Sequence, residues 1–380
     1  MSRLFADSVI NGMPLANRFV RAATWEGMAT ADGAVTPRLI DTLTRLARGG
    51  VGLIISSHAY VSRAGQGTPW QLGVYRDELV KGLAELTAAV HDHGGRIVMQ
   101  LAHAGAFAET GLSGRPALVV SRAGMAGAPP AIELDGRQIA ALIADFAAAA
   151  RRARQAGFDG VEIHAAHGYL LSQFLSPAFN RRQDEYGGAI ANRARIHVAV
   201  ARAVRQEVGD DYPLLIKMNC SDFIDNGLTS EDSLQAARLF AAAGFDAIEL
   251  SGGIIRTGRL APSRPGINSA EREAYFREQA RALRGKIAIP LILVGGLRSF
   301  AVAEKLVDDG IADYISMSRP FIREPELIRR WQAGDRRRAA CVSDNLCFAP
   351  GFAGKGVYCV TRERGEDKKD AEPDAEPVCS

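Results

Sequence analysis

The stretch LLIKMNCSDFIDNGLTSEDSLQAARLFAAAGFDAIEL, residues 214–250, contains one complete structural unit. Its first five residues form a mostly apolar run without the polar alternation of a half-exposed strand, so they read as a buried strand. Residues 231–243 follow with helical spacing, and Gly244 stands where a left-handed residue stops a helix. A second apolar run occupies 247–250. A buried strand, a helix and another buried strand predict parallel pairing, with the helix as crossover.

The unit recurs along the chain. Runs at 19–24, 52–56, 96–100, 160–163, 290–294 and 314–317 bring the strands to eight, and helical spacing returns at 137–155, 192–208 and 299–309. Eight parallel strands close a barrel. The open, doubly wound alternative requires a Gly-rich turn after its first strand, whereas this first strand runs into Thr24-Trp25-Glu26. The expected fold is therefore α/β, a (β/α)8 TIM barrel over residues 1–338. A hairpin at 8–15, turning at Asn11-Gly12, is expected to plug its bottom. Residues 339–380 form a C-terminal extension, Gly- and Cys-rich to 360. From 361 the extension is charged and nearly free of apolar residues, which predicts disorder.

Composition narrows the class. A length of 380 residues suits one barrel, and 47% hydrophobic residues suffice for a large core. With 46 basic and 43 acidic residues, the charge balance argues against nucleic acid or a membrane surface as partner. The first twelve residues lack an apolar leader, and no run of about 18 apolar residues occurs. A cytoplasmic protein is expected, and a homo-oligomer is left open. Of the five Cys, four lie in the last forty residues. Without a secretory signal they do not suggest a disulfide framework.

Active sites of such barrels lie at the C-terminal ends of the strands, and those ends are rich in functional side chains. Gly295-Gly296 after the seventh strand and Ser318-Arg319 after the eighth suit a phosphate site. There, backbone N–H groups and a guanidinium would bind the anion. Gly295-Gly296 alone would equally suit a tight turn. His164, His167 and Tyr169 cluster after the fourth strand. Two neutral imidazoles there would polarise a carbonyl oxygen, with Tyr169 as proton donor. A metal site is the rival reading, but no third ligand accompanies the pair. Lys217 on the fifth strand requires an anionic partner if buried. It would serve as a Schiff-base amine or as a cation beside a reduced flavin.

Several ordered motifs together resemble the old yellow enzyme family over residues 4–331. They are Asn17-Arg18-Phe19-Val20, Gln100-Leu101-x-His103-Ala104-Gly105 and His164-Ala165-Ala166-His167-Gly168-Tyr169-Leu170, then Asn180-Arg181-Arg182-x-Asp184-x-Tyr186-Gly187-Gly188, Asn192-Arg193-x-Arg195 and Ser318-Arg319-Pro320. The resemblance implies FMN as cofactor, NADPH or NADH as hydride donor, and a small enone-type substrate. It implies Ala23 and Thr24 against the flavin, Gln100 at its pyrimidine edge and Lys217 at N1 and O2. Gly295, Gly296, Ser318 and Arg319 would hold the phosphate, His164 and His167 the substrate oxygen, and Tyr169 would be the proton donor. No metal ligand is implied.

The chain departs from the family at three places. Ala191 replaces the usual Glu before Asn-Arg. Trp25 stands near a position where Cys or Thr often meets flavin O4, and is expected in the substrate pocket. Cys341, Cys347 and Cys359 resemble the iron–sulfur segment of longer relatives, but Asp344 fills the second place. A degenerate segment is expected, with an Asp-ligated cluster or zinc as the alternative. Other readings of the chain are a dienoyl-CoA reductase-like or amine dehydrogenase-like enzyme of the same family, a Schiff-base lyase, and a flavin-binding protein without turnover.

Overall fold

The computed structural model describes residues 2–122, 131–255 and 258–370. Strands β1 (Ser8–Ile10) and β2 (Met13–Leu15) pair antiparallel, with Ile10 opposite Met13. Between them Asn11 and Gly12 have φ of 41° and 76°, the left-handed pair that a two-residue hairpin turn requires. Ile10, Met13 and Leu15 pack against Val20, Leu53, Val98 and Leu215 of the barrel strands, so the hairpin closes the lower end.

The barrel begins with β3 (Phe19–Arg21), β4 (Leu53–Tyr60) and β5 (Ile97–Ala102). A separate parallel pair follows, β6 (Ala117–Val119) and β7 (Ala131–Glu133). The barrel then resumes with β8 (Gly160–Ala165), β9 (Leu214–Asn219), β10 (Ala247–Ser251), β11 (Leu291–Val294) and β12 (Tyr314–Met317). All eight are parallel, and β12 pairs with β3 to close the ring. Every expected strand is present. The second runs beyond its expected end at 56, because the ladder shifts register between Ile55 and His58 and then continues to Tyr60. Such an irregularity re-aims the side chains that follow it.

The helices expected at 137–155, 231–243 and 299–309 appear as Gly136–Gln155, Ser230–Ala242 and Phe300–Asp308. Asp135 opens the first with a capping box shared with Gln138. The helix expected at 192–208 is divided into Ile190–Arg193 and Arg195–Val208. At the break Arg193 is buried and donates to Gly188 O, Leu175 O and Asp232. No described helix is long and apolar enough to cross a membrane.

One device repeats at the lower rim. An Asp just before each of three strands clamps the start of the preceding barrel strand. Asp159 Oδ2 accepts from Ile97 N at 2.8 Å, Asp246 Oδ2 from Leu214 N at 2.7 Å and Asp313 Oδ2 from Leu291 N at 2.8 Å. Each Asp backbone N–H returns a bond to the same residue's carbonyl. Each carboxylate also meets a cation on a neighbouring element: Arg96 for Asp159, Arg205 for Asp246 and Arg284 for Asp313.

The extension after residue 338 lies over the upper rim. Val357 N donates to Glu26 O at 2.8 Å, and Gly266 N donates to Ser343 O at 3.0 Å. Within the segment expected to be disordered from 361, the structure has a helix over Val360–Asp370. Composition missed the anchors at its start: Thr361 Oγ1 donates to Asp344 Oδ2 at 2.5 Å, and Arg362 reaches Arg323 O. Residues 371–380 lie outside the described residues.

The Asp clamps yield a prediction. Asp246→Ala removes a charge-assisted acceptor from a backbone N–H, from Arg205 and from Asn11. It should lower unfolding stability by about 2–3 kcal/mol, read from urea denaturation. A loss below about 0.5 kcal/mol would show that the clamp does not hold the strand.

Candidate active site

Two cavities meet at the upper end of the barrel. The wider has a volume of about 560 Å3 and the narrower about 120 Å3. They share Ala23, His167, Lys217, Pro262 and Ser263 as lining. A flat heterocycle in the first, joined by a short chain to an anion in the second, would match this outline.

Lys217 sits at the junction. It is nearly buried, and its Nζ lies 2.7 Å from Glu249 Oε2. Register explains the pair, since Lys217 on β9 stands directly beside Glu249 on β10. The other oxygen of Glu249 accepts from Ser316 Oγ at 2.6 Å. On the other flank of β9, Glu162 on β8 stands in register beside Gln100 on β5, and Gln100 donates Nε2 to Glu162 Oε2 at 2.6 Å. Both carboxylates are fully buried. Burial first, and then the charge of Glu249, hold the Glu162 carboxyl well above the usual range.

His164 and His167 face one another with ring centroids 5.3 Å apart, and Tyr169 lies 4.8 Å from His164. Burial keeps both imidazoles far below their usual pKa, with the neighbouring imidazoles and Lys217 adding to the effect. Both are therefore neutral near pH 7. His167 has φ 63° and is fixed by Asn219 Oδ1, which accepts its backbone N–H, and by a 2.7 Å bond between Nε2 and Ser251 Oγ. His164 Nδ1 is buried and has no partner among the described residues. The Tyr169 hydroxyl shares a 3.1 Å hydrogen bond with His58 Nε2. Burial raises the pKa of Tyr169 and lowers that of His58 to about 4, so one is a neutral phenol and the other a neutral imidazole.

The narrow cavity is lined by Gly296, Ser318, Arg319 and Arg298. Gly295 and Gly296 have φ of 136° and 68°, and a Cβ at Gly296 would come within 2.7 Å of the Tyr275 ring. Both glycines are thus required by the turn and by this close approach. Thr24 Oγ1 and Ser318 Oγ share a 2.7 Å bond that ties the first strand's end to the eighth's. Arg319 Nη1 donates to Asn345 Oδ1 at 2.7 Å, and Ser263 Oγ donates to the same oxygen at 3.0 Å.

The extension supplies one wall of the wide cavity through Asn345, Phe348 and Phe352. Trp25 is the hub against which it packs. Its indole Nε1 donates to Pro69 O at 3.1 Å, and its ring lies 4.4 Å from Phe352. Cys347, Val357 and Phe348 complete this small cluster. Among the described residues, no group of three or more His, Cys, Asp or Glu is arranged to hold a metal ion.

The structure therefore brings Ala23, Thr24, Trp25, Gln100, His164, His167, Tyr169 and Lys217 to one cavity, and Gly296, Ser318 and Arg319, with Gly295 adjacent, to its neighbour. Sequence reasoning missed His58, Glu162, Glu249, Ser251 and the extension's aromatics. His58 follows the register shift, beyond the expected end of its strand. Glu162 and Glu249 did leave a signal, a carboxylate inside an otherwise apolar buried run.

Known proteins resemble this chain over most of its length. A "NADH oxidase" of Thermoanaerobacter brockii is 35% identical over 96% of this chain, which spans 58% of that protein. The "NADPH dehydrogenase" of Bacillus subtilis (strain 168) is also 35% identical, over 86% of this chain and 93% of its own length. Among solved structures, a 2-naphthoyl-CoA reductase complex superposes with a TM-score of 0.87 at 27% identity, over 98% of this chain and 59% of that one. The family model described as NADH:flavin oxidoreductase / NADH oxidase matches residues 3–337. The chain belongs to that family, the FMN-dependent, nicotinamide-using flavin oxidoreductases to which the old yellow enzymes belong.

Proposed function

We propose that this chain reduces the C=C bond of α,β-unsaturated carbonyl compounds, with NADPH or NADH as the source of hydride. The observation that carries the reading is the single cavity holding two neutral imidazoles, a protonated phenol and Lys217, continuous with an Arg319-lined pocket. FMN bound across the two cavities would supply the hydride relay. Gly295, Gly296, Ser318 and Arg319 would hold its phosphate, and Ala23 and Thr24 would pack on its ring. Gln100 would bond the pyrimidine edge, and Lys217 would face N1 and O2.

The remaining roles follow from charge state. Neutral His164 and His167 would donate to the substrate oxygen and stabilise the negative charge that develops there. Their neutrality avoids trapping an anion in the ground state. Tyr169 would give its proton to Cα, and the bond to His58 Nε2 would orient the hydroxyl. Trp25, Phe348 and Phe352 would form the apolar wall that excludes water. A Schiff-base lysine acts as a free amine, whereas the Lys217 ammonium is engaged by Glu249, which disfavours the lyase.

A second reading within the family takes an unsaturated acyl thioester as acceptor. The aromatic wall and the likeness to a 2-naphthoyl-CoA reductase favour it. An amine dehydrogenase-like enzyme would instead need an electron-accepting partner.

The visible spectrum during anaerobic NADPH addition, followed by 2-cyclohexenone, tests the proposal. Bleaching of a yellow protein and return of its colour with the enone are expected. Bleaching without reoxidation would move the acceptor to the thioester class, and a colourless protein that does not take up FMN would overturn the reading. Tyr169→Phe should slow reoxidation by the enone about 10²-fold or more and leave reduction by NADPH near its original rate. Equal loss in both halves would remove Tyr169 from the proton-donor role.

The depressed histidine pKa values set the pH behaviour. Affinity for a neutral carbonyl ligand, read from perturbation of the flavin spectrum, should stay flat from about pH 6 to 8. A sigmoid centred near 6.5 would show ordinary, solvated histidines instead.

A further inference from the structure

Two carboxyl groups and one ammonium share the dry interior of the barrel. Glu162 on β8 and Glu249 on β10 have no solvent exposure, and Lys217 on β9 has 3%. Lys217 Nζ meets Glu249 Oε2, Ser316 Oγ donates to Glu249 Oε1, and Gln100 Nε2 donates to Glu162 Oε2. Glu162 Oε1 is buried and receives no hydrogen bond from any described donor, and Glu249 Oε2 has the Lys217 ion pair without a hydrogen bond. Glu249, on the far side of β9 from β8, is close enough for its charge to help raise the Glu162 carboxyl. Two ionised carboxylates do not persist face to face in a low dielectric, and such a pair shares a proton. A proton on Glu162, donated toward Glu249, satisfies the orphaned oxygen and leaves one carboxylate opposite one ammonium.

The groups packed around the trio do not alter this count. Gln100 on β5 and Ser316 on β12 are neutral. His58 on β4 and His164 and His167 on and after β8 are held neutral by burial. Arg21 on β3 is already engaged by Glu26 and by the Ile55 carbonyl. The cation that acts on Glu162 is Lys217.

We infer that Glu162 and Glu249 form a proton reservoir coupled to the redox state of the flavin, holding one proton while FMN is oxidised and two when it is reduced. The inference rests on the proposed placement of Lys217 at the N1–C2=O edge. Reduction delivers two electrons and one proton to the flavin, leaving one negative charge at that edge. Lys217 then faces two anions, the flavin edge and Glu249, and a buried charge without a partner costs several kcal/mol. One further proton, taken from solvent through the cavity onto Glu249, restores neutrality and frees Lys217 for the flavin. The sum is two protons per two electrons in place of one.

Anaerobic dithionite titration of the FMN-loaded chain between about pH 6 and 8, with redox dyes, reads this stoichiometry. A two-electron couple moves about 30 mV for each tenfold change in the concentration of each proton taken up. A slope of about −59 mV per pH unit is expected, and about −30 mV would overturn the inference. The double substitution Glu162→Gln, Glu249→Gln should return the slope to about −30 mV per pH unit. An unchanged slope in that variant would place the proton on the flavin itself and also overturn it. Should the variant not fold, the reduced-minus-oxidised infrared spectrum of the unaltered protein decides. A gain in protonated-carboxyl absorption that shifts in D2O supports the reservoir, and its absence refutes it. Because dithionite replaces NADPH and no enone is added, failure of the proposed ene-reduction leaves this outcome readable. Failure to bind FMN would overturn both.

Discussion

The ion pair between Lys217 and Glu249 is the interaction around which the upper barrel is organised. An ammonium buried at the centre of eight strands requires a fixed anion, and the β9–β10 register supplies one 2.7 Å away. Removing either partner would strand the other, at a cost of about 3–5 kcal/mol. Ser316 and Gln100 are then required on their strands to satisfy the carboxyl oxygens. Burial, with this positive charge as a smaller contribution, keeps His58, His164 and His167 neutral. One constraint, charge compensation in a dry interior, thus sets both the supporting layer and the protonation state of the groups above it.

Above that layer the site is assembled from separate parts of the chain. Thr24 and Ser318 join the first and eighth strands at the rim. Arg319 is oriented by Asn345, so the pocket that suits an anion is built jointly by the barrel and its extension. Trp25 performs a similar joining role for apolar surface, receiving Phe352, Phe348 and Val357. The extension is therefore part of the cavity wall, held there by the Trp25 indole together with the bonds from Val357 N to Glu26 O and from Arg319 to Asn345.

Much of this architecture is legible in the amino-acid sequence. Buried parallel strands are short apolar runs, and their C-terminal ends carry the chemistry, so His164, His167, Tyr169, Lys217 and Arg319 stand out by position alone. The Asp clamps are visible as Asp159, Asp246 and Asp313 just before their strands, yet their role requires the neighbouring strand's backbone. From 361 low hydrophobicity signals an inability to form a core, and what composition does not show is the tie of the helix start to Asp344 and Arg323.

The sequence by itself determined the period of strands and helices, the closing number of eight and the chemical types available at the rim. Those properties are local: each depends on residues adjacent along the chain. Only the tertiary structure decided which side chains meet. The Lys217–Glu249 pair, the bond from Gln100 to Glu162, the bond from Tyr169 to His58 and the packing of Phe352 on Trp25 join residues on different elements. Their geometry depends on register, on one ladder irregularity and on the path of the extension, and none of these follows from local spacing.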